Sequence, residues 1–124
     1  MENEVLVAYE RLVSAFREGR DKFPSFADDA TIVDGGRWFA SLAEYRGAWE
    51  AWVAEHGPLV PESVETQVLD LRVLGDTAVL IQSVESRERT ETGEETEQEI
   101  ETIVFGRQPD DRWLVIHQHL SPQR

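Results

Sequence analysis

Glu101, in the segment "ETEQEIETIVFGR", lies deeper than the other glutamates of residues 91–101 and shares a strand face with Ile103. A carboxylate desolvated in this way has a raised pKa and can carry a proton, as needed to take hydrogen from carbon next to a carbonyl. Asp34, which ends "ATIVD" on the face of Ile32, is a second candidate base; the alternative is a turn cap before Gly35 and Gly36. An enolate formed by either acid needs a donor, and Tyr9, Tyr45 and the side-chain amides of Gln82 and Gln118 can serve. Glu91, Glu94, Glu95 and Glu97 read as a solvated hairpin tip protected against edge pairing. The closing stretch "RWLVIHQHLSPQR" brings His117 and His119, whose i, i+2 spacing projects both the same way from a strand. That geometry suits metal ligation and also plain packing. His56 is the only other histidine, so no metal is expected. With no cysteine there is no thiolate nucleophile, disulfide or cysteine-based metal site.

These side chains have to be positioned by a definite set of elements. Val5, Tyr9, Leu12, Val13 and Phe16 form one apolar stripe over residues 3–18, which predicts an amphipathic helix ended by Gly19. A short helical turn broken by Pro24 and an Asp-rich bend follow, then the strand "ATIVD" and a turn at Gly35-Gly36. Ser41 and Glu44 have capping-box spacing and open a second helix, with Tyr45, Trp49, Trp52 and His56 along one face and Gly57-Pro58 as its stop. From about residue 64 the pattern alternates with period two, and turns at "GD", "TG" and "QPDD" divide it into a four-strand antiparallel meander. A Thr92-Gly93 loop would place Val84 opposite Glu101, Gln82 opposite Ile103 and Leu80 opposite Phe105 on one face. Ile81, Ser83, Thr102 and Val104 then take the other. In the last strand Trp113, Val115, His117 and His119 share a face, and Leu114, Ile116, Gln118 and Leu120 share its opposite. Helices cover one side of such a sheet. The other, with Trp113, Val115, Ile81 and Val104, predicts a homodimer through the outer sheet face.

The 124 residues suffice for one domain, 1–124, with one core. A balance of 25 acidic against 12 basic residues, net −13, repels phosphate backbones and argues against nucleic acid as a partner. Lys22 is the only lysine. No stretch approaches the roughly 18 apolar residues of a membrane span, and the acidic start "MENEVLVAYE" is unlike a signal peptide, so a cytoplasmic protein away from membranes is expected.

The N-terminal amphipathic helix, "FADDATIVDGG" with the capped "SLAEYRGAW", and the closing "RWLVIHQHLSP" together resemble the SnoaL-like group of the NTF2-like superfamily over nearly the whole chain. The tail is similar to that of the calcium/calmodulin-dependent kinase association domain. The resemblance implies an α+β fold, an NTF2-like (cystatin-like) cone with N-terminal helices packed on a curved antiparallel sheet enclosing a pocket. It also implies that Leu120, Gln118, Ile116 and Leu114 face inward and that His117 and His119 face the dimer side. The pocket-facing arginines of the kinase-association relatives match Ile103 and Leu120 here, so arginine capture of a carboxylate ligand is not expected. The general-base aspartate of ketosteroid isomerases matches Asp34, while their oxyanion-hole tyrosine falls at Leu12, with Tyr9 one turn earlier.

On that resemblance the expected ligand-binding residues are Trp38, Tyr45, Trp49, Trp52, Gln82, Ile103, Ile116, Gln118 and Leu120. Asp34, Glu101 and Tyr9 form the catalytic set. The expected ligand is an apolar or aromatic small molecule, polyketide- or steroid-like, which the protein binds and isomerises, cyclises or dehydrates without a cofactor. The alternative is a non-enzymatic ligand-binding or oligomerisation module with a vestigial pocket.

Overall fold

The structure, a computed structural model, describes residues 1–57, 60–90 and 93–123. The apolar stripe of Val5, Tyr9, Leu12 and Val13 is buried along helix α1 (Glu2–Arg17). Gly19 follows it at φ 66, a left-handed position that glycine takes without steric cost. A 3-10 turn at Phe23–Ser25 leads into strand β1 (Phe26–Asp34). The Asp-rich segment expected as a bend lies inside this strand, where pairing is irregular between Phe26 and Thr31. Strand β2 (Arg37–Phe39) pairs back on β1 across Gly35-Gly36, a hairpin too short for periodicity to reveal. Helix α2 (Leu42–His56) is capped as expected: Ser41 Oγ accepts the Glu44 N–H at 3.2 Å, and Gly57 ends it at φ 85.

The remaining strands are β3 (Ser63–Leu74), β4 (Thr77–Thr90), β5 (Gly93–Arg107) and β6 (Trp113–Pro122). They form the expected meander, and β1 adds to it beside β6, giving the order β2-β1-β6-β5-β4-β3. The β1–β6 pair is parallel, so the sheet is antiparallel except at that one junction. The six-stranded sheet is curved and does not close, and two helices pack on one face. The core there joins Val5, Leu12 and Val13 to Ile32, Leu80, Ile103, Phe105 and Val115.

Two register expectations are corrected. Leu80 pairs with Ile103, Gln82 with Glu101 and Val84 with Glu99, a slip of two residues from the expected pairing. A slip of two preserves the faces, because side chains alternate with period two. The expected loop at Thr92-Gly93 falls partly outside the described residues; Gly93 itself pairs with Thr90.

The second correction moves side chains between faces. A bulge in β6, where Val104 pairs with His117 but Phe105 with Val115, leaves Ile116 as the extra residue. Alternation therefore reverses at Ile116. Trp113 and Val115 turn inward and are buried in the core, while His117 and His119 stay on the outer face opposite Val104 and Thr102. Ile116 faces outward too, over the backbone of Gly106, where a Cβ would stand 2.9 Å from its Cγ2. Trp113 and Val115 thus belong to the fold of one chain and not to a dimer face.

A carboxylate-lined cavity under the first helix

Between the concave sheet face and the helices lies a cavity of about 180 Å³. Its apolar wall comes from Leu12, Val13 and Phe16 of α1, Trp49 and Tyr45 of α2, and Val64, Val84 and Leu120 of the sheet. Its polar wall carries Lys22, Asp34, Thr66, Gln82, Ser86, Gln118 and the glutamates 88, 97, 99 and 101. Parity explains this set. Gln82 pairs with Glu101 and Glu101 with Leu120, so one inward row crosses three strands, and Glu99 and Glu97 continue it along β5 toward the hairpin.

Glu101 is the best anchored of the acids. Gln82 Nε2 donates to its Oε2 at 2.8 Å and Gln118 Nε2 at 3.4 Å, while Tyr9 OH donates to Gln82 Oε1 at 2.5 Å. Burial pushes the Glu101 carboxyl above the usual carboxylate range; the Gln82 bond, the Lys22 charge and the Gln118 bond offset part of this. Glu99 is pushed up to about 7, first by burial and then by the like charges of Glu101 and Asp34, against which Lys22 pulls back. Gln118 Oε1 is buried and has no hydrogen-bond partner among the described residues, an exception to the usual pairing of buried polar atoms.

On the opposite wall Lys22 Nζ donates to Tyr45 OH at 3.1 Å, and Tyr45 OH donates to Asp34 Oδ2 at 3.2 Å. Burial raises the Tyr45 hydroxyl, and the neighbouring Asp34 charge raises it further, so it remains a donor through the neutral range. Burial lowers Lys22 to about 8, a shift that Asp34, Glu101 and Glu99 partly oppose.

Asp34, Tyr45, Trp49, Gln82, Glu101, Gln118 and Leu120, all expected at a ligand site, therefore meet at one cavity. Five others fall outside its walls. Tyr9 lies beneath, with its hydroxyl donating to Gln82, which in turn donates to Glu101. Ile103 is fully buried in the core. Ile116 is turned outward by the bulge. Trp38 is 56% exposed, because its neighbour Phe39 takes the inward position on β2. Trp52 is 40% exposed and stacks on His56, with ring centroids 4.6 Å apart, beside a shallow groove on the far side of Tyr45 and Trp49. Lys22 and Glu99 are the additions. Glu99 shares strand parity with Glu101; for Lys22 the one available signal was its being the sole lysine.

His117 Nδ1 sits 2.8 Å from Thr31 Oγ1 across the β1–β6 pair, and His119 is exposed. Among the described residues no group of three or more His, Asp or Glu gathers in a way that could hold a metal ion. Nor, among them, is any helix long and apolar enough to cross a membrane.

The raised carboxyls make stability depend on pH in a definite direction. Glu99 titrates at about 7 when folded against an ordinary 4.5, so its proton favours the folded state. Its contribution is complete below about 4.5 and is lost as pH rises to about 7. Lys22 acts above this window: its penalty is complete below about 8 and is relieved as pH rises from there toward its ordinary 10.5. The protein should therefore melt at lower temperature at pH 8 than at pH 5. Glu99→Gln should narrow the difference by on the order of 1–2 kcal/mol, a figure discounted for the partial exposure of the side chain. An unchanged difference in paired thermal melts would place Glu99 in ordinary solvent.

A model of the SnoaL-like domain matches residues 5–124, and the chain belongs to that family. No curated protein sequence matches it. Among solved structures it is similar to a ketosteroid isomerase-like protein from Erwinia carotovora atroseptica, at TM-score 0.80 and 14% identity over 98% of this chain and 95% of the other. An NTF2-like protein of unknown function in nutrient uptake from Rhodospirillum rubrum aligns at TM-score 0.78 and 21% identity, covering 97% and 98%. The CaMKII hub of S. rosetta aligns at TM-score 0.73 and 19% identity, covering 98% and 95%. At such identities the likeness shows the fold, an NTF2-like α+β architecture.

Proposed function

We propose that the cavity binds a small, largely apolar carbonyl compound and moves a proton on it, as a cofactor-free isomerase, cyclase or dehydratase does. The observation that carries this reading is the meeting of Asp34, Glu99 and Glu101 in one apolar-walled space, with Glu99 held at about 7. A base is most effective when its pKa lies near the working pH, and two coupled acids can share one proton. The ionised member takes hydrogen from the carbon beside the carbonyl. The protonated member or the Tyr45 hydroxyl donates to the oxygen that gains charge. Apolar walls combined with directed polar groups are usual for small-molecule sites, and here the polar share is high.

Size narrows the ligand. Cavities near 150 Å³ hold a guest the size of benzene, so about 180 Å³ suits one ring. A four-ring steroid skeleton would have to protrude. The resemblance to a ketosteroid isomerase-like protein supports proton transfer as the chemistry, with a smaller substrate. Because Trp49 lines the cavity, titration with cyclohexanone should quench tryptophan fluorescence in a saturable way, and Leu120→Trp, which fills the space, should abolish saturation. Quenching that stays linear and equal in both proteins would reject a binding cavity.

The second reading is assembly through the outer sheet face. Val79, Ile81 and Val104 stand there only partly covered, and both helices lie on the other side. Similarity to a CaMKII hub supports association of this kind, and a homodimer is its simplest form. The two readings use opposite faces and are compatible.

A further inference from the structure

We propose that Lys22 is a carbonyl-capturing amine, which condenses with an aldehyde or ketone in the cavity to form an imine. This rests on the reading that the cavity admits a carbonyl compound, and it adds a covalent step. Three features of the site support it. First, the ion pairs of the described residues are all made by arginine, whereas Lys22 Nζ lies 4.0 Å from the Trp49 ring centroid and 5.0 Å from that of Tyr45. In a chain whose other cations are all arginine, the one lysine lines the cavity. A guanidinium stays protonated and cannot attack a carbonyl; an ammonium can lose its proton and then do so.

Second, the hydrogen bonds form a route for that proton. The ammonium donates to Tyr45 OH and Tyr45 donates to Asp34 Oδ2, so a proton leaving Nζ reaches Asp34 in two short transfers. Third, burial brings Lys22 down to about 8 although the facing Asp34, Glu101 and Glu99 favour its charge, so about half of it is the neutral amine at pH 8. The neutral amine adds to the carbonyl carbon, and one of the two protons on its nitrogen passes to the carbonyl oxygen, which becomes a hydroxyl. Asp34 returns the proton through Tyr45 to that hydroxyl, which leaves as water while the nitrogen lone pair forms the C=N bond. Overall, lysine ammonium plus carbonyl gives protonated imine plus water, with Asp34 restored. Protonated, the imine draws electrons from the neighbouring carbon and eases proton removal there by Glu99 or Glu101.

The sole lysine makes the test unambiguous. The folded protein is treated with benzaldehyde and cyanoborohydride at pH 8, and the benzyl adduct is located by peptide mass mapping. The Met1 α-amine serves as internal standard. An ordinary exposed lysine would trail an α-amine by about 10²-fold, since its neutral fraction at pH 8 is that much smaller. We expect Lys22 to be labelled at least as fast as Met1. Slower labelling than Met1 overturns the imine. If benzaldehyde still quenches tryptophan fluorescence to saturation in that case, the cavity reading stands and only the covalent step falls. If neither labelling nor saturable quenching occurs, both fall.

Discussion

Trp113→Ala should lower the stability of the folded chain by about 3–5 kcal/mol, the usual cost of emptying a large aromatic site in a core. For a chain of this length that corresponds to a fall in Tm of roughly 10–20 °C. The indole is buried beside β5 as the partner of Arg107, packs in the core that includes Val5 and Phe105, and donates from Nε1 to Glu4 Oε2 at 3.2 Å. Truncation therefore opens a cavity between α1 and the sheet and frees the Glu4 carboxylate. Because the side chain is internal, the variant should keep the wild-type molar mass by light scattering, expected to be that of a dimer, as long as it is folded. Val104→Arg, on the outer face, should do the opposite and give a monomer with a nearly unchanged melt. A Trp113→Ala protein that melts normally but dissociates would return this residue to an interface.

Trp113 also shows what a sequence pattern can and cannot carry. Strict alternation places it beside His117 and His119, and only the extra residue at Ile116 sends it inward. A bulge leaves no mark on period two except a change of phase, and in "RWLVIHQHL" both phases are apolar enough to pass. The β4–β5 hairpin behaved differently. Its partners slipped by two residues, yet Gln82 and Glu101 still share the inner face, because faces depend only on parity. The fold was accessible for similar reasons: capping signals, glycine stops and turns are local. The site was accessible only in part. Glu99 has the same parity as Glu101, but a run of six glutamates reads as solvated, and its burial follows from its place in the cavity wall, which depends on tertiary packing. Lys22 depends entirely on how the turn after α1 tucks beneath Trp49, a contact with no counterpart in local sequence.

Replacing both Glu99 and Glu101 by glutamine should lower proton abstraction by about 10²-fold or more, the range carried by a positioned general base. Glutamine keeps the volume and the capacity to accept from Gln82, but it cannot take a proton at neutral pH. Each single substitution should cost less, since the remaining acid faces the same cavity and the pair titrates as a unit. The double variant should also be more stable than wild type at pH 8, because two carboxyls whose ionisation burial opposes are gone. Loss of activity together with gain of stability separates a functional pair from a structural one. The most direct measurement is the proton NMR signal of the α-hydrogens of cyclohexanone in D2O, followed with and without protein. Wild type should speed their replacement by deuterium above the buffer rate, with the double variant slower by the factor given. Saturable binding of cyclohexanone with exchange at the buffer rate in both proteins would contradict proton transfer and leave a binding module.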